Sequence, residues 1–236
     1  MRIKRNIIGL ICILIPMIGY GQHIGFQEID NSKVTTWLPK LTIEYQNVYH
    51  FGDSEMESDF ILLFGIDRYY AQIKSGSWSD DGKAWIWHFE NLTNVRIEGN
   101  KFYSDKTNGE FVIYDNGQEK IKGLKVLNPW SGLTDNGEYE IGTKSNSVTD
   151  YFSGKFTQAS LRQLTSDELR KMPKSDLKIM RNEIFARYGF IFRSGGEMDL
   201  YFKKQEWYMA QHDNVDKFMT DLENGNVKLI QQIENE

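Results

Sequence analysis

The sequence predicts an α+β protein of two domains: an N-terminal antiparallel β meander, closed as a barrel or folded as a sandwich, and a small all-α module after it. Three observations predict this. From Trp37 to about Gly142, short runs rich in aromatic and β-branched residues alternate with turn dipeptides. No helix-period run of useful length interrupts them. From Thr165 onward the pattern changes to capped segments with apolar residues three and four apart. The expected organisation is a signal peptide at 1–21, an antiparallel β domain at 22–144, a connector at 145–163 and a helical domain at 164–236.

The signal peptide rests on three features in order. Arg2, Lys4 and Arg5 form a basic start, Ile7 to Ile18 is almost wholly apolar, and Gly19 and Gly21 are small residues ahead of a cleavage point before Gln22. The twelve residues from Ile7 to Ile18 are too few for a membrane span, which needs about 20, so no integral span is expected. The sole cysteine, Cys12, leaves with this segment, and the mature chain then has no disulfide, thiolate metal site or cysteine nucleophile. Cleavage also removes three basic and no acidic groups. Lys plus Arg falls from 28 to 25 against 33 Asp plus Glu, so the formal charge moves from −5 to −8. A net acidic chain without a Lys/Arg cluster is a poor binder of phosphate backbones, and nucleic acid is excluded as a partner.

The predicted strands include Phe60–Phe64, Tyr69–Ile73, Ala84–Phe89 and Val95–Ile97. Gly99-Asn100 suits a two-residue type II′ turn between Arg96–Glu98 and Lys101–Tyr103. For the next hairpin, a three-residue Asp115-Asn116-Gly117 loop is expected, because it sets Phe111 opposite Ile121 and keeps Ile113 on the same face. The connector is polar but carries Tyr151, Phe152 and Phe156, which should pack on a domain.

In the helical part, Thr165-Ser166-Asp167-Glu168 and Thr220-Asp221-Leu222-Glu223 are capping boxes. Between them Leu177, Met180, Ile184 and Tyr188 share one helical face, with Ser175 as the expected N-cap. Glu183 precedes Arg187 by four residues, the better orientation for a helical ion pair, worth about 0.2–0.5 kcal/mol if exposed. Gly189 stands where a left-handed residue ends the helix, which would bring Phe190 back onto Phe185.

The run Arg181, Asn182, Glu183, Ile184, Phe185, Ala186, Arg187, Tyr188, Gly189 resembles the signature of the YARHG domain family, named for Tyr-Ala-Arg-His-Gly. Tyr201-Phe202, Trp207-Tyr208 and Glu223-Asn224-Gly225-Asn226 resemble its later landmarks, so the likeness covers roughly Leu164 to Ile233. It implies a small extracytoplasmic bacterial module of undefined activity, often appended to other domains. Phe185 stands in place of the family's tyrosine and Tyr188 in place of its histidine. A histidine-dependent chemistry is therefore closed to this copy, which favours a structural role for the signature.

Candidate binding residues are Trp85, Trp87 and Phe89. They alternate, so they share one face of a strand, where they could stack on a sugar, line a pocket or simply fill the barrel core. Asp53, Glu55, Glu57 and Asp59 alternate too but lack the glycine-turned loop of a calcium site, and they read as a solvated loop. His23, His50, His88 and His212 have no metal spacing. No catalytic residue, metal or cofactor is expected from these patterns. Arg181, Asn182 and Glu183 read as ties to backbone groups. The expected function is that of an exported, non-catalytic, envelope-associated or ligand-binding protein, periplasmic or secreted. Its partner would be a small molecule, a glycan or an envelope protein. The alternative is a secreted hydrolase with an active site assembled in the β domain.

Overall fold

A computed structural model describes residues 21–135 and 137–236. The signal peptide reading falls outside the described residues except at Gly21.

Twelve strands form one sheet: β1 (Gln22–Ile24), β2 (Gln27–Glu28), β3 (Val34–Thr36), β4 (Asn47–Phe51), β5 (Ser58–Phe64), β6 (Tyr69–Trp78), β7 (Trp85–Leu92), β8 (Arg96–Glu98), β9 (Lys101–Tyr103), β10 (Asn108–Asp115), β11 (Lys120–Leu127) and β12 (Tyr139–Lys144). The hydrogen-bonded order is β7-β6-β5-β4-β12-β11-β10-β9-β8. Two antiparallel meanders, β4–β7 and β8–β12, are thus joined by the pairing of β12 with β4. The sheet curls into a half-barrel, and its two ends, β7 and β8, are consecutive in the chain but not paired. β1 lies parallel to β12, and β3 extends the free side of β10.

Strand alternation builds the interior. Tyr49, Phe51, Phe60, Leu62, Ala71, Ile73, Phe111, Leu124 and Val126 point into the curl and are nearly all fully buried. Tyr45 stacks on Phe111 with ring centroids 3.8 Å apart, and Phe60 meets Phe102 edge-on at 5.0 Å. The opposite face is also covered in places. Val48, Ile61 and Leu63 are buried beneath Val148, Tyr151, Phe152 and Leu161, which explains why β5 is an unbroken apolar run.

The Gly99-Asn100 turn has the expected register, Glu98 opposite Lys101, with Gly99 at φ +62. The next hairpin differs from expectation. Its loop is four residues, 116–119, and Phe111 faces Leu124 while Ile113 faces Lys122. The Asn116 side chain accepts from the amides of Gln118 and Glu119, both at 2.8 Å, and Gly117 takes φ +88. β10 is buried on both faces, Phe111 inward and Val112 and Tyr114 outward. The observed register sets Tyr114 opposite Ile121 as well. A choice based on one face could not weigh that second pair.

The helices are α1 (Gln158–Leu161), α2 (Ser166–Leu169), α3 (Lys174–Arg187), α4 (Glu197–Phe202) and α5 (Asp221–Glu234). Both capping boxes are formed, Thr165 with Glu168 and Thr220 with Glu223. α3 begins one residue after Pro173, which is the N-cap in place of Ser175. The Pro173 carbonyl accepts from Asp176 and Leu177, and Ser175 falls inside the first turn. At the other end the amide of Gly189 donates to Ala186 and that of Phe190 to Phe185. With Gly189 at φ +73 this is a complete Schellman motif, and the rings of Phe185 and Phe190 lie 6.0 Å apart. Leu177, Met180 and Ile184 of α3 and Tyr188 at its C-cap share a core with Ile230 and Ile233 of α5.

Candidate functional site

Cross-strand register fixes what lies on the outer face of the half-barrel. His50, Asp59, Lys74 and Phe89 form one row across β4 to β7, and Val48, Ile61, Gln72 and Asn91 form the next. Trp87 lies opposite Gly76 and Trp85 opposite Trp78. The aromatic stripe Trp85, Trp87 and Phe89 therefore points out of the curl, not into the barrel core. Period-two alternation shows which residues share a face, but what covers that face is a tertiary matter.

The cover is the helical part of the chain. β7 is an edge strand, and the Gln211 side chain completes it as a third strand would: its Oε1 accepts from Trp87 N at 3.2 Å and its Nε2 donates to Trp85 O at 2.8 Å. His212 Nε2 lies 2.8 Å from the Trp87 carbonyl. A carbonyl can only accept, so that nitrogen carries the proton. Asn91 Nδ2 and Gln72 Nε2 reach the Phe218 carbonyl at 3.1 and 2.7 Å. Phe89 packs into the helical core against Tyr188 and Phe218.

These contacts leave a cavity of about 170 Å³ where sheet, connector and helices meet. Lys74, Trp87 and Phe89 line it from the strands, Tyr151 from the connector, Arg187 and Tyr188 from the end of α3, and Glu223 from α5. Trp207, Met209 and Gln211 add to the wall.

Its polar groups are unequally satisfied. Tyr188 donates to Glu223 Oε2 at 2.6 Å, and that oxygen also accepts from the Thr220 amide and hydroxyl. Glu223 Oε1 is buried and has no hydrogen-bond partner, and the same holds for the Tyr151 hydroxyl. Burial, reinforced by Glu223, pushes the Tyr188 phenol well above its ordinary pKa, so it stays protonated and acts as a donor. Burial does the same to Tyr151, with the Asp59 carboxylate nearby. Lys74 Nζ sits 3.9 Å over the Trp87 ring and 4.0 Å from Asp59 Oδ2. Burial lowers its pKa against the pull of Asp59 and Glu57.

Arg187 and Glu183 form the wall behind. Their pair is formed and buried: the side chains are 7% and 1% accessible. Arg187 donates to Ser153 O at 2.7 Å, to Ser160 Oγ at 2.8 Å and to Glu183. Glu183 accepts from the amides of Lys155 and Phe156 at 2.9 and 2.7 Å. The pair thus pins the connector to α3.

The region so pinned matches a known family. Residues 151–235 match the family model of the YARHG domain. The match begins at Tyr151, upstream of Leu164, and so takes in the connector residues held by Arg187 and Glu183. No curated protein and no solved structure matched the chain.

Within the YARHG signature, the residues divide by task. Arg181 pairs with Glu234 at 2.6 Å and Asn182 donates to Lys178 O at 2.8 Å, both away from the cavity lining. Phe185 is half-buried against Phe190. Ala186, Arg187, Tyr188 and Gly189 line the cavity. Tyr188, at the position of the family's histidine, spends its hydroxyl on Glu223. Of the aromatic stripe, Trp87 and Phe89 reach the cavity and Trp85 packs beside it against Trp78 and over Gly76. Two members of the acidic run meet one ring: Asp59 bonds His50 at 2.9 Å and Glu57 lies 4.0 Å from the same imidazole. Among the described residues, no His/Cys/Asp/Glu group is arranged to hold a metal, and no helix is long and apolar enough to cross a membrane. Lys74, Tyr151 and Glu223 were not singled out as site residues from sequence. Lys74 was legible as the residue that follows Gln72 on the polar face of β6, and Glu223 as the last residue of a capping box.

Proposed function

We propose that this chain is an exported, non-catalytic ligand-binding protein of the bacterial envelope, with its site between the half-barrel and the YARHG domain. The observation that carries the reading is the cavity itself. Its wall holds a buried carboxylate oxygen and a buried phenol without partners, set among aromatic rings. Such groups are destabilising unless a ligand or ordered water satisfies them. Export is inferred from the basic, apolar and small-residue order of the first 21 positions.

Native mass spectrometry of the protein purified from its own cell envelope tests both parts. The expected result is a chain starting at Gln22 with a small-molecule adduct that Trp87→Ala abolishes. A bare wild-type mass under gentle conditions overturns the binding reading, and an uncleaved cytoplasmic chain overturns export.

The hydrolase alternative draws on one observation, the convergence of Lys74, Tyr151 and Tyr188 with shifted pKa values. Two of those shifts run the wrong way for it. Raised phenols are held neutral, and Tyr188 is committed to Glu223. Elsewhere Ser77 Oγ and His88 Nε2 lie 3.0 Å apart on an exposed part of β6 and β7, and among the described residues no carboxylate bonds that ring. Cleavage of chromogenic esters or glycosides that is lost in Lys74→Met or Ser77→Ala would reverse this ranking.

A further inference from the structure

We infer that the loop from Leu38 to Glu44, with the lysines beside it, docks on a lipid bilayer that carries anionic headgroups. The inference rests on the export half of the reading above, which sets the folded chain beside a membrane, and not on the cavity.

Large aliphatic side chains are exposed together here. Leu38, Leu41 and Ile43 are 68%, 64% and 48% accessible and fall within six residues of chain. Single exposed leucines are ordinary on a surface, whereas a group of them marks a contact. The group is also held out by its flanks. Trp37 and Tyr45, on either side of it, are buried in the half-barrel interior. The Tyr45 hydroxyl donates to Trp37 O at 2.8 Å and closes the loop at its base. Within the loop the Leu41 amide donates to Glu44 Oε1 at 3.1 Å, and the Glu44 amide to Leu41 O at 3.0 Å. A backbone already bonded in this way presents the three side chains with little further ordering on contact. The Phe64 amide donates to Gln46 Oε1 at 2.9 Å, so the turn after β5, with the exposed Ile66, adjoins the same end of the sheet.

The charge beside the loop is basic. Lys120, Lys122 and Lys144 line one open cleft of about 470 Å³, in which Glu119 is the acidic residue. The cleft lies where β11 and β12 part. Their pairing runs from Leu127 opposite Tyr139 to Gly123 opposite Thr143, and Lys144 then pairs with Tyr49 of β4. Lys122 Nζ lies 4.8 Å from the centre of the Trp37 ring, at one end of the loop. Burial lowers the Lys144 pKa and Lys122 lowers it further, while Glu44, at the other end of the loop, opposes them. Neither these three lysines nor Lys40 of the loop forms an ion pair among the described residues, unlike Lys101, Lys106 and Lys155. Loop and cleft together carry Lys40, Lys120, Lys122 and Lys144 against Glu44 and Glu119, four positive charges to two negative, on a chain that is net acidic.

Such a face suits lipid better than a second copy of the chain. Aliphatic side chains enter the acyl boundary while the ammonium groups stay at the level of the headgroup phosphates. The negative surface potential of anionic lipid attracts the basic cleft. A two-fold contact between copies would instead set the lysines of one against those of the other.

The test is co-sedimentation of the exported chain with vesicles of equal parts phosphatidylcholine and phosphatidylglycerol, and with vesicles of phosphatidylcholine alone. The expected result is binding to the anionic vesicles that is weaker by about tenfold or more on the neutral ones and falls as salt rises. Leu38→Ser with Leu41→Ser, and separately Lys122→Gln with Lys144→Gln, should each weaken binding to the anionic vesicles by about tenfold or more. None of these side chains is buried, so both variants should keep the wild-type circular dichroism spectrum. If the lysine variant fails that check, the leucine variant decides. Equal binding to neutral vesicles, no binding to either kind, or binding that both variants retain overturns the inference and leaves the cavity reading to its own adduct. So does a dimer in sedimentation velocity that the leucine variant dissolves, which assigns the face to a second copy.

Discussion

The half-barrel interior and the cavity beside the YARHG domain are both built from aromatic side chains, and they differ in how their polar atoms end. Inside the curl the Tyr45 hydroxyl donates to Trp37 O at 2.8 Å and the Tyr49 hydroxyl to Tyr45 O at 2.6 Å. In the cavity the Tyr151 hydroxyl and one oxygen of Glu223 end on nothing. The interior is the kind of packing that holds a fold together; the cavity leaves free energy uncollected until something enters. Burial alone does not separate the two regions; the tyrosine hydroxyls do, although the interior also holds one buried donor without a partner, Trp130 Nε1 against Phe51 and Phe60.

The sharpest test of that contrast is in the interior. Phe60→Ala should destabilise by about 3–5 kcal/mol in urea unfolding, through lost contacts and a residual cavity. A loss under about 1 kcal/mol would mean that the curl is loosely packed and no firmer than the cavity wall.

Next is the wall behind the cavity. Glu183→Ala strands the Arg187 guanidinium and should cost about 3–5 kcal/mol, whereas the double change Glu183→Gln with Arg187→Met should cost less. Arg187 is thus no mild position, contrary to what an exposed pair implies. Equal losses for the single and the double variant would show that the pair is not coupled.

Gly189→Ala should cost about 1–3 kcal/mol. The residue has φ +73, and a β-carbon there would come within 2.8 Å of the Met209 carbonyl. An unchanged thermal midpoint would show that the helix exit can shift away from the cavity rim.

The smallest effect lies at the solvent end of the polar row. The hydrogen bond to Asp59 raises the His50 pKa above its ordinary value, against the effect of burial. The protonated form is favoured by folding, so its stabilisation is fully present below about pH 6.5 and is lost as pH rises through the raised folded value. Urea midpoints of wild type and His50→Gln should therefore differ at about pH 5.5 and converge at about pH 8.5. A constant difference would remove His50 from the row.

Local rules carried far into this chain. Turn dipeptides placed the strands, the Gly99-Asn100 register followed from its turn type, and both capping boxes and the Schellman end at Gly189 were legible in short spans. Failures began where a second partner entered. The 116–119 loop depends on what covers the far side of β10, and the stripe of Trp85, Trp87 and Phe89 on what covers β7. The Glu183–Arg187 pair was legible from its spacing but its burial was not, because the backbone it holds, 153–156, lies about thirty residues upstream. Lys74, Tyr151 and Glu223 come from three separate segments, and no spacing in one dimension brings them together.

The Gln211 side chain, lying along β7 in place of a peptide unit, bears on how the chain avoids clumping. Strands such as β7, long, aromatic and open on one side, recruit copies of themselves. This one is closed by residues 211–219, which leave the ribosome more than a hundred residues after it. Until they emerge, β7 is an uncovered edge, and the C-terminal part of the chain is what closes it. A chain ending at Lys144 should accordingly self-associate in light scattering. Gln211→Ala in the full chain should raise its tendency to form thioflavin-positive fibres on partial unfolding, and no change in either measurement would show that β7 protects itself.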